Sequence, residues 1–170
     1  SNCYSTGSVT GTDFVGGLSG MVDDSSTVNN CYSTSDVNGS GNVVGGLVGK
    51  NISSSVSNCY STGSVTGTDF VGGIIGSSSW GYAVSGLFWN INDFSTDNGI
   101  GTGITTMEMM DAYTFCFAGW DFEEDENGND NGTTGGTNGN GTDNWWDMVQ
   151  DGNHYPVLSW QNGDTVLVTD

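Results

Sequence analysis

The stretch that decides the fold is SNCYSTGSVTGTDFVGG at residues 1–17, which recurs without change at residues 57–73. A diverged copy lies between the two, and Cys3, Cys31 and Cys59 mark the same position in all three copies. Each of these cysteines is 28 residues from the next. The chain is therefore built on a 28-residue repeat.

The middle copy differs from its neighbours in length, with one extra residue before Gly45 and one fewer before Val56. Because the insertion is cancelled within the same copy, Val28, Val56 and Val84 keep the same repeat position. Compensation of this kind indicates that each repeat closes one full turn of a coiled structure.

A unit of this length is too short to bury its own apolar face, so neighbouring units must stack and share a core. Segments such as VSNCYST at 56–62 and DFVGGII at 69–75 are short, rich in β-branched and aromatic residues, and separated by Gly, Ser, Thr and Asn. We expect two or three strands per turn, with equivalent strands paired in parallel about 4.8 Å apart. The sequence thus predicts an all-β fold, a short parallel β-helix (β-solenoid).

The predicted organisation is three repeats, a cap, and a terminal strand or linker. The ranges are about 1–29, 30–57 and 58–85 for the repeats (1–85 together), 86–164 for the cap, and 165–170 for the terminal segment. A parallel stack leaves an unpaired strand edge at each end, and such edges recruit other chains unless they are covered. We expect the N-terminal edge to be open and to pair with other copies of the chain or with neighbouring repeats.

Stacking would place equivalent side chains in columns, which we expect to be structural ladders. The two ladders are Asn2, Asn30 and Asn58, and Cys3, Cys31 and Cys59. Side-chain amides in the first would hydrogen-bond along the axis. The cysteines are better explained as small packing residues than as disulfides. Whether the Cys or the following Tyr faces inward stays open, because a bulge at the Asn would exchange the two faces.

The pattern changes after Val84, where large aromatic residues replace the small ones. Thr105-Thr-Met-Glu108 is a capping-box signature and predicts one short helix that reaches about Phe115. Met107, Met110 and Phe115 would face the core. An aromatic cluster would complete the cap over the last turn, with packing favoured over sugar binding. Its predicted members are Phe88, Trp89, Trp120, Phe122, Trp145, Trp146, Tyr155 and Trp160.

Twenty acidic residues face a single basic one, Lys50, which gives a formal charge of −19. Nucleic acid is excluded as a partner, because phosphate contacts depend on Lys and Arg. No run of about 20 apolar residues is present, so membrane insertion is not expected. Acidity of this kind favours solubility in salt or contact with divalent cations.

Residues 123–143 form a low-complexity insertion that cannot fold by burying apolar surface. Part of it fits the alternating oxygen ligands of a calcium loop. The candidate ligands are Asp125, Asn127, Asn129, Asp130 and Asn131. A solvated loop is the simpler interpretation, because the alternating ligands are amides and no Glu follows at the twelfth position. Calcium is the one cofactor that the sequence suggests.

Four Asn-x-Ser/Thr sequons are candidate glycosylation sites, at Asn38, Asn51, Asn131 and Asn140. Catalysis finds little support, because no nucleophile, base and orienting group can be assembled around His154, the only histidine. We therefore expect a protein that is not an enzyme.

Three motifs carry a resemblance to a known family: VGGLSG at 15–20, VGGLVG at 44–49 and VGGIIG at 71–76, each preceded by NCYST. They resemble the GLUG repeat of bacterial and archaeal surface proteins, including filamentous-haemagglutinin-like adhesins and some secreted peptidases. The segments FWN at 88–90, GWDF at 119–122 and YPVLSW at 155–160 look like the C-terminal segment that commonly follows such repeats. The resemblance implies a right-handed β-helix-like fold, an extracellular or cell-surface location, and a stalk or adhesive role without catalysis.

Three functions remain in competition. The first is a structural or adhesive module of an extracellular repeat protein. The second is a subunit of an extracellular filament joined end to end by β-strand pairing, for which the apolar segment Thr165–Thr169 could supply an added strand. The third is a protein that binds or cleaves glycans, with cell-surface glycans as partners.

Overall fold

The computed structural model describes residues 1–79, 83–93, 98, 100–120, 146–147, 154–158 and 161. The first turn of a solenoid contains β1 (Tyr4–Ser5), β2 (Ser8–Gly11), β3 (Val15–Gly16) and β4 (Ser19–Val22). The second contains β5 (Thr27–Ser33), β6 (Asp36–Gly39), β7 (Asn42–Gly45) and β8 (Val48–Ile52). The third contains β9 (Ser55–Ser61), β10 (Val65–Thr66), β11 (Asp69–Gly72) and β12 (Ile75–Ser79).

Each complete turn thus has four strands, and the prediction of two or three was wrong. Equivalent strands stack into four parallel sheets, and the sheet that begins with β1 continues through β13 (Val84–Asn90) and β14 (Thr102–Ile104). All pairings between turns are parallel, as the sequence predicts for a β-solenoid.

The strand register confirms the compensated insertion. Gly11 pairs with Gly39, but the next strand pairs Val15 with Val44, so the extra residue lies in the turn before β7. The shorter turn before β9 then restores the original offset, because Val28 pairs with Val56. Every turn therefore closes above the one before it despite the difference in local length.

A left-handed backbone position recurs just before β1 and inside β5, β9 and β13. Asn2, Asn30 and Asn58 have φ of 56°, 51° and 49°, and Gly86 has φ of 58° at the equivalent place in β13. Asparagine and glycine are the residues that enter this region most readily. Because this residue acts as a bulge, Val28 and Cys31 both contact the same core, although strict alternation would place them on opposite faces.

The main core lies between the sheets that contain β5 and β8. Its buried members are Val22, Cys31, Leu47, Val48, Val56, Cys59, Ile74, Ile75, Leu87 and Trp89. A second, smaller cluster joins the sheets that contain β6 and β7, and consists of Val15, Val37, Val44 and Val65. Both clusters run along the axis, so each turn is stabilised chiefly by the turns next to it.

The paired glycines of the repeat form a corner where backbones approach closely. A side chain on Gly46 would collide with the carbonyl of Gly73, and one on Gly17 would collide with the carbonyl of Gly46. Their φ values are not in the left-handed region, so close approach between turns is what requires glycine here.

The stack closes at its C-terminal end within the same compact unit, Ser1–Thr105. Trp89 takes the place that Ser61 has one turn earlier, and a side chain on Gly73 would collide with its indole ring. The side-chain amide of Asn98 donates hydrogen bonds to the carbonyls of Ile75 (2.6 Å) and Gly76 (2.8 Å). A large side chain and an amide thus cover part of the last edge.

The second compact unit, Thr106–Asp170, contains two short helices, α1 (Thr106–Met109) and α2 (Ala112–Phe117). The prediction of one helix was therefore wrong. Asp111 caps α2 by accepting a hydrogen bond of 3.0 Å from the backbone N–H of Tyr113. Met107, which was predicted to face the core, is 83% exposed, whereas Met109 and Phe115 are buried.

The same unit also contains the antiparallel pair β15 (Trp146–Asp147) and β16 (Val157–Leu158). The predicted terminal strand at 165–170 lies outside the described residues. Among the described helices, none is long and apolar enough to cross a membrane.

Candidate functional site

The strands of the first turn form a distinct surface, which we call the first-turn edge (β1–β4). Each of these strands lies at the end of its sheet in the described part of the chain. Tyr4 is 42% exposed, whereas Tyr32, stacked on it from the second turn, is 5% exposed. Leu18 is partly buried, whereas Leu47 is fully buried. The first-turn edge therefore offers apolar side chains and backbone groups for pairing with a further strand layer.

The sequence of this edge specifies which partner would fit it. Residues 57–73, which are identical to residues 1–17, already pack against the second turn in this structure. Tyr60 pairs with Tyr32, and Val65 pairs with Val37, along the face of the third turn that points towards the first. The first turn has that same set of side chains on the side that faces away from the second turn. It is therefore complementary to a turn with the sequence of the second repeat.

The three repeat cysteines lie in one column along the solenoid, with Cys31 directly paired with Cys59. Cys3 lies opposite Cys31, because the following residues Tyr4 and Tyr32 are paired. The thiols of Cys3, Cys31 and Cys59 donate to the backbone carbonyl two residues earlier, at 3.1, 3.2 and 3.0 Å. All three are free thiols; Cys31 and Cys59 are buried and Cys3 is exposed.

The buried thiols differ in acidity because of their mutual hydrogen bond. The thiol of Cys59 and the backbone N–H of Cys3 both hydrogen-bond to the sulfur of Cys31. These bonds lower the pKa of Cys31 to about 6, although burial acts in the opposite direction. Burial and the same hydrogen bond raise the pKa of Cys59 well above its ordinary value. Cys31 is thus the thiol of the column that most readily becomes a thiolate.

The tyrosines next to the cysteines form a second column, which settles which residue faces the core. Tyr32 and Tyr60 stack with ring centroids 5.0 Å apart and an interplanar angle of 2°. Tyr4 continues the stack at 5.2 Å from Tyr32. Cys31 and Cys59 belong to the main core, and the tyrosines lie on the other face of the same strands, where Tyr60 is nevertheless only 1% exposed. Both columns are buried in the second and third turns.

The asparagine positions share a backbone conformation. Asn30 is 4% exposed, and Asn2 and Asn58 are partly buried at the same left-handed position. The predicted hydrogen-bonded amide ladder stays a prediction, and the conformation gives a separate reason for Asn at each repeat.

One contact in the solenoid could not be predicted from any sequence motif. The ammonium group of Lys50 lies 5.3 Å from the ring centroid of Phe14, which is 43% exposed and has φ of 53°. This is a cation–π geometry. It joins residues in the first and second turns that no motif relates.

The predicted cap aromatics fall into both compact units. Phe88 and Trp89 are buried in β13 of the solenoid, and Trp120 and Trp146 are buried in the second unit. Trp120 lies between Phe115 and Trp146, with centroid distances of 4.7 and 4.5 Å. Tyr155 is partly buried. The remaining predicted members, Phe122, Trp145 and Trp160, lie outside the described residues.

The predicted calcium loop also lies outside the described residues. Its candidate ligands are Asp125, Asn127, Asn129, Asp130 and Asn131. In the part of the chain that the structure describes, no group of three or more His, Cys, Asp and Glu side chains could hold a metal ion. The calcium hypothesis therefore stays a prediction.

Two of the four sequons can be placed. Asn38 is exposed on β6. Asn51 is 1% exposed, and its side-chain amide donates to the carbonyl of Ser54 (2.9 Å) and to the hydroxyl of Ser78 (3.2 Å). A glycan on Asn51 would have to break both hydrogen bonds. The other two sequons, at Asn131 and Asn140, lie outside the described residues.

Comparison with known proteins matches one full turn of the solenoid to a family model. Residues 40–66, which run from the turn before β7 to the end of β10, match the GLUG motif. The chain contains a GLUG repeat. No curated protein and no solved structure matches the chain.

The GLUG match covers the second copy of the glycine corner, VGGLVG at 44–49, together with strands of all four sheets. The first and third copies pair with this turn in register through their own glycine corners. The chain thus has a parallel β-solenoid fold, one turn of which, residues 40–66, matches the GLUG motif.

Proposed function

We propose that this GLUG module is a non-enzymatic structural unit of an extracellular or cell-surface repeat protein, and that its working surface is the first-turn edge. The identity of residues 1–17 with residues 57–73 is the observation that carries the proposal. Because the third turn packs against the second through that sequence, the first turn is suited to pack against another turn of the second type. Stacking of this kind builds a stalk.

The proposal can be tested by adding one turn. Residues 29–56 fused before Ser1 would recreate the natural junction, since Val56 would precede Ser1 as it precedes Ser57. We expect the added turn to bury Tyr4 and Leu18 and to slow amide hydrogen exchange in β1 and β2. A matched control carries the same 28 added residues in scrambled order.

Equal exchange protection of β1 and β2 in the stacked and scrambled fusions would refute the docking proposal. Protection by the stacked fusion alone supports it. The extracellular location has its own test: an antibody to the chain should label intact cells of the source organism. Labelling only after the cells are permeabilised would refute that part.

The second candidate function is a filament subunit. In that case a second copy of the chain would pack on the first-turn edge. Sedimentation of the purified chain over a wide concentration range tests it. Growth of ordered assemblies that the added second-type turn blocks would support end-to-end pairing. A monodisperse monomer at all concentrations would refute it and leave the stalk interpretation standing.

A further inference from the structure

We propose that Cys3 and Cys31 form an oxidisable thiol pair whose disulfide fastens the first turn of the solenoid to the second. The inference goes beyond the proposed structural function and rests on the extracellular location proposed above, because disulfides persist in oxidising compartments. It assigns a modification site to residues that otherwise act as small packing groups.

Strand pairing provides the geometry for such a bond. Tyr4 pairs with Tyr32, and the backbone N–H of Tyr32 donates to the carbonyl of Cys3 at 3.1 Å, so the two cysteines face each other across adjacent parallel strands. Adjacent strands are about 4.8 Å apart, and a disulfide requires Cα atoms roughly 4.4–6.8 Å apart. The spacing of paired strands therefore falls within the Cα range that a disulfide requires.

The environments of the two thiols suit complementary roles. Cys3 is exposed when no further turn packs on the first-turn edge, so a dissolved oxidant can reach it in the purified chain. Cys31 is 1% exposed, and its sulfur accepts hydrogen bonds from Cys59 and from the backbone of Cys3, which favour the thiolate. An exposed thiol beside a buried, acidic one is the arrangement of an entry cysteine and a resolving cysteine.

The chemistry is thiol–disulfide exchange with a small-molecule disulfide as the oxidant. The thiolate of Cys3 attacks that disulfide, forms a mixed disulfide and releases one small thiol. The thiolate of Cys31 then attacks the sulfur of Cys3 and displaces the second small thiol. Two protein thiols are oxidised, one disulfide is reduced to two thiols, and the protons of the protein thiols end on the two released molecules.

The bond would act on the shortest strand of its sheet. β1 has only two residues, Tyr4–Ser5, and Tyr4 is 42% exposed at the edge. A covalent link from Cys3 to Cys31 would hold β1 against β5 when the backbone pairing opens. We expect oxidation to raise the unfolding midpoint and to slow amide exchange in β1.

The experiment treats the full chain with oxidised glutathione, in a background where Cys116→Ser removes the thiol of the second unit. Intact mass should show the loss of two hydrogens, and peptide mapping without reductant should link Cys3 to Cys31. Cys31→Ser should instead hold a stable glutathione adduct on Cys3. The matched control, Cys59→Ser, should still form the bond between Cys3 and Cys31.

Three outcomes would overturn the proposal. They are a glutathione adduct that persists on Cys3 with Cys31 present, a dominant bond between Cys31 and Cys59, and no oxidation under conditions that oxidise free cysteine. Circular dichroism of each variant confirms that the solenoid is intact. Mapping of the Cys116→Ser background decides the question even if Cys31→Ser fails to fold.

Discussion

Substitution of Asn30 by Gly and by Ala distinguishes two explanations of the repeated asparagine. Asn30 is 4% exposed and has φ of 51°, in the left-handed region. Both substitutions remove the side-chain amide, so any amide hydrogen bond is lost equally in the two variants. They differ in the cost of the left-handed backbone, which is about 1–2 kcal/mol for a residue with a Cβ atom and close to zero for Gly. Gly86 already occupies the equivalent position of β13 with φ of 58°.

We therefore expect Asn30→Ala to be about 1–2 kcal/mol less stable than Asn30→Gly in urea unfolding monitored by far-UV circular dichroism. In thermal unfolding, the difference corresponds to a shift in Tm of about 2–4 °C per kcal/mol for a chain of this size. If the amide ladder were the main reason for Asn, the two variants would be equally destabilised. Equal midpoints would refute the conformational explanation.

Two further predictions concern the core and a surface carboxylate. Leu47→Ala should lower the free energy of unfolding by about 2–5 kcal/mol, because Leu47 is fully buried in the main core. The control Met21→Ala, at a position 51% exposed, should change it by less than about 0.5 kcal/mol. Equal effects of the two substitutions in denaturant unfolding would contradict the assigned core. Asp36 accepts hydrogen bonds from the hydroxyl (2.6 Å) and the backbone N–H (3.0 Å) of Ser64, and these bonds lower the pKa of Asp36. The ionised Asp36 therefore stabilises the fold at a pH above its unfolded-state pKa, and this stabilisation is lost as the pH falls through the lower pKa of the folded state. Ser64→Ala should raise the pKa of Asp36 towards its ordinary value in an NMR titration of the carboxyl carbon, and an unchanged pKa would show that the hydroxyl has no effect.

The solenoid and its register could be predicted from the sequence because identical repeats must pack alike. The exact recurrence of residues 1–17 and the compensated insertion together fix which residues stack, and Val28 does pair with Val56. The number of strands was harder to predict. DFVGGII at 69–75 looks like one apolar strand, but the close approach of Gly46 to Gly73 makes a corner that divides it into β11 and β12.

The sequence alone could not predict which way the cysteines point or which face of the cap helix is buried. Whether Cys31 or Tyr32 faces inward depends on a single left-handed residue, Asn30, and residue spacing cannot reveal that conformation. Met107 was assigned to the core on the assumption of one continuous helix. Asp111 instead caps a second helix, and in the first helix Met109 is the buried methionine. The thiol pair depends on both the register and the bulge, so the repeat spacing alone did not single it out.

The most direct test of the solenoid is a set of NMR contacts from the second turn to both of its neighbours. Val37 pairs with Val9 on one side and with Val65 on the other. Parallel stacking predicts nuclear Overhauser effects from the backbone of Val37 to both valines, at strand separations of about 4.8 Å. Contacts that instead link β6 to β7 as an antiparallel hairpin, with none to Val9 or Val65, would contradict the stacked solenoid.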